Sequence, residues 1–240
     1  MITLAVFDMA GTTINDGGAV YDALREAVEE TGVTVSPADL QTWMGTEKRA
    51  AITALIELGG GDPFTPADRV PLAYDRFRAI LAEKYAAQPP TPLPGVPEAI
   101  TQLRSAGLKV ALTTGFSRDI ATGILNEINW VVGADAAGAA ASAVVIDALV
   151  CGDEVAAGRP APYMIHRAME ATGVQDVSTV LAAGDTLVDV QAGINSGASL
   201  TFGVLTGELQ RTDFADLCDS APRTAEVIES VAKIPVRLGL

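Results

Sequence analysis

The feature that most limits what this chain can become is a recurrence of short apolar runs. They are Ile2 to Phe7, Leu108 to Leu112, Thr179 to Ala183 and Leu200 to Leu205, each lying close to Gly, Asp or Thr. Runs of this length without polar alternation predict strands buried on both faces. Between them the spacing predicts helices over Val96 to Ala106, Pro160 to Thr172 and Val188 to Ser196. Each is followed by a glycine, Gly107, Gly173 or Gly197, the residue best suited to close a helix. A further strand is predicted over Ala143 to Val150, after an Ala/Gly-rich stretch from Gly133 to Ala143 that is too short for a linker. Strands alternating with helices of this size require crossover connections and hence a parallel sheet, which makes the chain α/β.

One segment breaks that alternation. Ala19 to Thr31, Pro37 to Trp43, Glu47 to Leu58 and Pro66 to Ala87 all carry helical spacing, and no strand is predicted among them. Asn15-Asp16-Gly17-Gly18 on one side and the proline-rich stretch Gln88 to Gly95 on the other have the composition of hinges. The expected division is a core of residues 1–16 and 89–240, with a helical domain of residues 17–88 inserted after the first strand. Gly59-Gly60-Gly61 is a turn signal, since neither GxxxxGK[ST] nor GxGxxG surrounds it.

Charge narrows the partners. Sixteen Lys and Arg against 30 Asp and Glu leave a net charge of -14, which disfavours nucleic acid and anionic membranes and points to a small ligand. A hydrophobic fraction of 49% over 240 residues is enough for a substantial core. Two distant cysteines, Cys151 and Cys218, and a single histidine, His166, fit neither a disulfide scaffold nor a zinc site. The opening has no basic lead or small-residue cleavage site, and no run of ~18 apolar residues occurs, so a cytoplasmic location is expected.

Three polar residues fall at the C-terminal ends of separate predicted strands: Asp8, Thr114 and Asp185, with Asp189 close behind. That edge of an open parallel sheet is where ligands bind. Converging carboxylates without Cys or His suit a hard cation, and Mg²⁺ with oxygen ligands at about 2.1 Å is the natural occupant. Arg159 lies in Gly158-Arg159-Pro160-Ala161-Pro162, where Pro160 is expected to open the next helix and to set Arg159 beside its unpaired backbone donors. Together with the metal and the Thr114 hydroxyl, Arg159 would make a site for a phosphoryl or phosphonyl group.

The motifs DMAGT (Asp8 to Thr12), TTG (Thr113 to Gly115), GRPAP (Gly158 to Pro162) and GDTLVD (Gly184 to Asp189) occur in this order, the last followed by AGINSG. In this the chain resembles the haloacid dehalogenase superfamily over nearly its whole length. The DxAGT form and the arginine, where most members have lysine, resemble the phosphonoacetaldehyde hydrolase (phosphonatase) group and its relatives. The resemblance implies a Rossmann-like core with an inserted all-helical cap, and Asp8 as a nucleophile that forms an aspartyl-phosphate. It also implies Mg²⁺ held by the carboxylates of Asp8 and Asp185 and the carbonyl of Ala10, with Asp189 behind them orienting water or Arg159. Thr12, Gly115, Phe116, Met44 and Gly45 would line the substrate, and a homodimer through the cap is implied.

Ala10 stands where most phosphatases of the superfamily place a second aspartate as general acid. That acid is worth about 10² to 10⁴ in rate, so ordinary phosphomonoesters should be poor substrates. In Trp43-Met44-Gly45-Thr46-Glu47-Lys48, Thr46 is expected to cap a helix with Lys48 in its first turn, where the dipole disfavours a cation. Lys48 matches the family's MGxxK lysine, which forms a Schiff base with an aldehyde so that the iminium accepts the electrons of the breaking carbon–phosphorus bond. The chain departs from that group at Ala51, where a histidine is usual, and at Gly18, Met9 and Phe116, so a different phosphonate or phosphonate-like aldehyde is expected. Two other readings stay open: a phosphatase acting on a small phosphate ester without Schiff-base chemistry, and a phosphate-ligand binding protein with little turnover. His166, Trp43, Trp130 and the two cysteines read as packing or surface residues, although Trp43 is close enough to Lys48 in sequence to line a pocket.

Overall fold

The computed structural model describes residues 1–133, 140, 142–221 and 224–240, so most of the Ala/Gly-rich stretch lies outside the described residues. The chain divides into two compact units, residues 1–15 with 91–240, and residues 16–90.

The larger unit opens with β1 (Leu4–Asp8) and β2 (Ile14–Asn15). The helical unit holds α1 (Ala19–Glu29), α2 (Pro37–Thr42), α3 (Lys48–Leu58) and α4 (Arg69–Ala87). The larger unit resumes with β3 (Thr91–Pro92), α5 (Val96–Ser105), β4 (Lys109–Thr114), α6 (Arg118–Glu127), β5 (Trp130–Val132), β6 (Val144–Ile146) and β7 (Ala148–Cys151). It ends with α7 (Tyr163–Thr172), β8 (Val180–Gly184), α8 (Leu187–Ser196), β9 (Leu200–Val204), α9 (Ala215–Ser220), β10 (Ala225–Ile228) and α10 (Ile234–Arg237).

Among the described residues the main sheet runs β10-β9-β8-β1-β4-β7, and all its pairings are parallel. The chain steps outward from β1 through β4 to β7, then returns to the other side of β1 and steps outward again from β8 to β10. That reversal opens a crevice beyond the carboxyl ends of β1 and β8. Every residue of β1 and β8 is buried, as a parallel sheet covered on both faces requires. One face packs Leu4, Val6, Val180, Met164 and Ile165 into a continuous apolar layer.

The predicted Ala143 to Val150 strand is two strands interrupted at Asp147: β6 pairs with β5 in a separate sheet, and β7 joins β4. The interruption follows from Asp147, whose carboxylate accepts the Val110 N–H at 2.9 Å and thereby takes a place in the ladder that a side chain does not normally hold. α6 and β10 were not predicted. α6 carries Ala121, Ile124 and Leu125 buried at helical spacing, and β10 is buried only at its two ends, Ala225 and Ile228, with Glu226 and Val227 half-buried between them.

The helix expected from Pro160 begins instead at Tyr163, after Pro162. A residue preceding proline is held out of the helical region, so Ala161 cannot enter the helix. Residues 158–162 make a turn in which the Ala161 N–H donates to the Gly158 carbonyl at 3.0 Å. Arg159 is thus carried on that turn rather than on a helix start.

In the helical unit, α1, α3 and α4 bury Leu24, Val28, Ile52, Leu55, Phe77 and Leu81. Glu47, not Thr46, caps α3. Its longer side chain folds back to accept the N–H groups of Arg49 and Ala50 at 2.9 and 2.8 Å, while the Thr46 hydroxyl donates to the Trp43 carbonyl at 2.7 Å. No helix among the described residues is long and apolar enough to cross a membrane.

Candidate active site

β1 ends on Asp8, and β8 runs directly into Asp185. α8 then brings back Asp189 through a mutual cap: Asp189 Oδ2 accepts the Thr186 N–H at 3.1 Å and the Thr186 hydroxyl, while Thr186 Oγ1 faces the Asp189 N–H. The three carboxylates are buried, and each offers an oxygen within 4.8 Å of the others. Arg159, also buried, lies among them. Its Nη1 is 2.7 Å from Asp8 Oδ1, its Nε 2.8 Å from Asp189 Oδ1, and its Nη2 donates to Thr113 Oγ1 at 2.7 Å.

The backbone around this cluster is shaped to admit it. Gly11, at φ +84°, approaches Asp185 so closely that a Cβ would stand 2.4 Å from its Oδ2. A Cβ on Gly184 would fall 2.2 Å from that of Asp189. Thr12 Oγ1 donates to Asp185 Oδ1 at 2.8 Å, Thr13 Oγ1 to the Asp8 carbonyl at 2.9 Å, and Thr206 Oγ1 to the Gly11 carbonyl at 2.5 Å.

Electrostatics set the demand of the site. Burial pushes the Asp8 carboxyl up to about 7; the Arg159 guanidinium opposes this and the Asp189 charge reinforces it. Asp185 is raised well above the usual carboxylate range by burial and then by its two acidic neighbours. Burial alone would weaken the Arg159 cation, but Asp189 and Asp8 outweigh it and raise its pKa. Three carboxylates and one guanidinium leave two formal negative charges in a buried cluster, which a divalent cation would cancel. The donors are all oxygens. Asp189 has one oxygen on Arg159 and the other on Thr186, so Asp8 and Asp185 are the carboxylates with coordination to give. This donor set fits Mg²⁺.

Thr114, at the end of β4, is buried and its Oγ1 accepts the Phe116 N–H at 3.2 Å. Gly115 is half-buried and Phe116 buried. Arg118 fixes the loop that carries them: its Nε and Nη2 reach Glu154 Oε1 and Oε2 at 2.8 and 2.6 Å, and the Gly152 N–H donates to the Phe116 carbonyl at 3.0 Å. Ala10 is half-buried in the turn after β1, in a bridge with Ile14.

The larger unit therefore gathers Asp8, Thr12, Arg159, Asp185 and Asp189 into one hydrogen-bonded and ionic cluster, with Thr114 on the strand beside Asp8. The remaining expected site residues belong to the helical unit. Lys48 is the first residue of α3, only 4% exposed, and its Nζ donates to the Thr46 carbonyl at 3.0 Å. Met44 and Gly45 are half-buried just before it, Gly45 at φ +74°, and Ala51 is fully buried one turn further on.

Sequence reasoning missed Thr113, Thr186, Thr206 and Gly207. Thr186 carried a signal, the T-x-x-D spacing of a capping box. Thr206 and Gly207 follow β9 at the same sheet edge as Asp8 and Asp185, so the strand-end rule reached them too. Gly207 stands against Asp185, where a Cβ would lie 2.1 Å from Oδ2.

A profile of the haloacid dehalogenase-like hydrolase family matches residues 2–197. The chain is 32% identical over 219 residues to a phosphonoacetaldehyde hydrolase from Bacillus cytotoxicus, covering 86% of this chain and 76% of that one. It is 30% identical over 208 residues to a phosphonoacetaldehyde hydrolase from Paraburkholderia phytofirmans, covering 82% and 72%. Among solved structures, a phosphonoacetaldehyde hydrolase-like protein from Oleispira antarctica superposes with a TM-score of 0.74 at 24% identity, over 99% of this chain and 91% of that one. A putative β-phosphoglucomutase from Bacteroides vulgatus gives a TM-score of 0.77 at 18% identity, over 99% and 88%, a likeness of fold alone. Carboxylates, arginine and threonines at the sheet edge, the family profile and these relatives agree: the chain belongs to the haloacid dehalogenase-like hydrolases, in their phosphonatase-like subgroup, and is an enzyme.

Proposed function

We propose that this hydrolase breaks the carbon–phosphorus bond of a phosphonate aldehyde or a closely related phosphonate, with Asp8 as nucleophile and Lys48 as covalent electron sink. The observation that carries the reading is a pairing. Residue 10, two after the nucleophile, is an alanine with no proton to give, and the helical unit holds a buried lysine in the first turn of α3. Curated relatives named phosphonoacetaldehyde hydrolase support the same chemistry.

In this reading the unprotonated Lys48 Nζ adds to the aldehyde carbon, and the carbinolamine takes up a proton and loses water to leave an iminium. An Asp8 carboxylate oxygen attacks phosphorus as the carbon–phosphorus bond breaks, and the bonding pair moves into the iminium to give an enamine. Protonation of the enamine carbon and addition of water release the dephosphonylated aldehyde and restore the amine. A second water hydrolyses the acyl phosphate on Asp8, releasing inorganic phosphate. Asp8 and Asp185, with the Ala10 carbonyl, would hold Mg²⁺, which supplies positive charge to the phosphonyl oxygens when bound. Arg159 adds a fixed cation on the same oxygens, and Thr114 a neutral donor. Asp189 holds Arg159 in place through Nε. The cap and the core each contribute one reacting group, so catalysis requires both to reach a single substrate. Ala51 has no titratable side chain, which leaves the proton transfers of imine formation to water.

Borohydride reduction in the presence of phosphonoacetaldehyde and related phosphonate aldehydes, with mass mapping and parallel phosphate-release assays, tests the proposal. A reduced adduct on Lys48 with a substrate that is turned over is expected. Turnover with no adduct on any substrate would overturn it. That result would favour the competing reading, to which the loss of a proton-carrying side chain at Ala51 lends weight: a phosphatase that needs only Asp8 and loses little rate in Lys48→Arg.

A further inference from the structure

We infer that Thr113, which neither the metal nor the nucleophilic step uses, is a positioning residue that fixes the rotation of the Arg159 guanidinium and so aims its Nη1 at Asp8. The inference rests on the reading that Asp8 attacks phosphorus, and extends it to a residue outside the reacting set.

Asp8 and Thr113 are in-register partners on the adjacent parallel strands β1 and β4. Residues paired in this way present their side chains on one face of the sheet, about 4.8 Å apart. A planar two-pronged donor suits that gap. The guanidinium fills it with Nη1 on Asp8 Oδ1 and Nη2 on Thr113 Oγ1, both at 2.7 Å, while Nε holds Asp189 Oδ1 at 2.8 Å. The contact from Nη2 to a neutral hydroxyl on a buried strand lies off the line joining the two carboxylate contacts and so opposes tilting of the guanidinium plane about it. Thr113 is 4% exposed and Arg159 6%, so water does not replace the hydroxyl as acceptor. The arrangement also accounts for arginine at position 159: a lysine offers one nitrogen and cannot meet three acceptors placed along a fork.

Thr113→Val keeps shape and removes the acceptor, and Thr113→Ser restores it. Phosphate release from phosphonoacetaldehyde with Mg²⁺ is expected to fall about 10- to 100-fold in Thr113→Val, and Thr113→Ser is expected to recover most of the rate. In an Arg159→Lys background Thr113→Val is expected to add no further loss, because the interaction it removes is already gone. Full rate in Thr113→Val, or a loss that adds in full to that of Arg159→Lys, would overturn the inference. Should the wild-type protein release no phosphate, the reading of Asp8 fails but the positioning role is still decided by calorimetric titration with inorganic phosphate and Mg²⁺. Weaker binding in Thr113→Val, recovered in Thr113→Ser, supports it, and equal binding in all three proteins refutes it.

Discussion

Gly207 stands against Asp185 with no room for even one further carbon: a Cβ there would lie 2.1 Å from Oδ2 and 2.7 Å from Cγ. The backbone at Gly207 is not in the left-handed region, so alanine is barred by the neighbour rather than by the turn. Gly207→Ala is therefore expected to push the Asp185 carboxylate aside while leaving the local chain path intact. Mg²⁺ affinity, measured by calorimetry, should drop about 10- to 100-fold. Unchanged affinity would mean that Asp185 is not a metal ligand.

Restoring the acid at position 10 reverses the argument made from its absence. Ala10 is half-buried in the turn after the nucleophile. Ala10→Asp is expected to raise the turnover of alkyl phosphomonoesters, whose departing alkoxide needs a proton, by at least about 10-fold. Aryl esters with good leaving groups should gain much less. Equal gains on both classes would show that protonation was not the missing element.

Asp147 contributes to acid stability. Burial favours its neutral form, but Arg104, the Val110 N–H and Lys109 outweigh this and hold its carboxyl below the usual range. A carboxylate with a lowered folded-state pKa contributes stability that is complete above the unfolded value near 4 and is lost as pH falls through the folded value. Asp147→Ala should cost about 2 kcal/mol at neutral pH, since it strands the Val110 donor at the entrance to β4. The charge-dependent part of the deficit should be lost as pH falls through the folded-state value, leaving the cost of the stranded donor. Thermal melts of both proteins across that range check the sign: a deficit that stays constant, or grows on acidification, contradicts it.

The cap of α3 offers a test within the helical unit. Glu47 accepts two backbone N–H groups with its carboxylate, and Lys48 follows it directly. Glu47→Ala is expected to destabilise the protein by about 1 kcal/mol. It should also slow borohydride trapping at Lys48 by loosening the first turn, and Glu47→Asp should recover part of both effects. A melting temperature unaltered in Glu47→Ala would remove the cap from the account.

Asp8, Asp185 and the sheet they end were legible because polar residues fall together at the C-terminal ends of several apolar runs, a joint placement that a turn or cap residue at any one end does not explain. The strand β10 was not, since Glu226 interrupts it and its partner β9 supplies the pairing that its own composition does not demand. At Pro160 two local rules competed, and the constraint of Pro162 on Ala161 prevailed over the preference for proline at a helix start. Thr46 lost the capping role to Glu47 because both follow the loop glycine and only the longer side chain folds back onto two donors. Thr113 and Gly207 act on partners distant in the chain, Arg159 and Asp185. No periodicity announces such a contact, and only the folded register of the sheet brings them to the cluster.

The short antiparallel ladder of β2 and β3 pairs Ile14 with Pro92 and Asn15 with Thr91. The outgoing and returning chain thus pass side by side at the foot of the helical insertion, and the Leu93 N–H donates back to the Thr13 carbonyl at 3.0 Å. Everything between these two rungs can be exchanged for another segment, or for a tight turn, without breaking a strand of the main sheet. A lineage that keeps the carboxylate cluster and its strand order can in this way trade one insertion for another at a single splice, together with whatever reacting group that insertion carries.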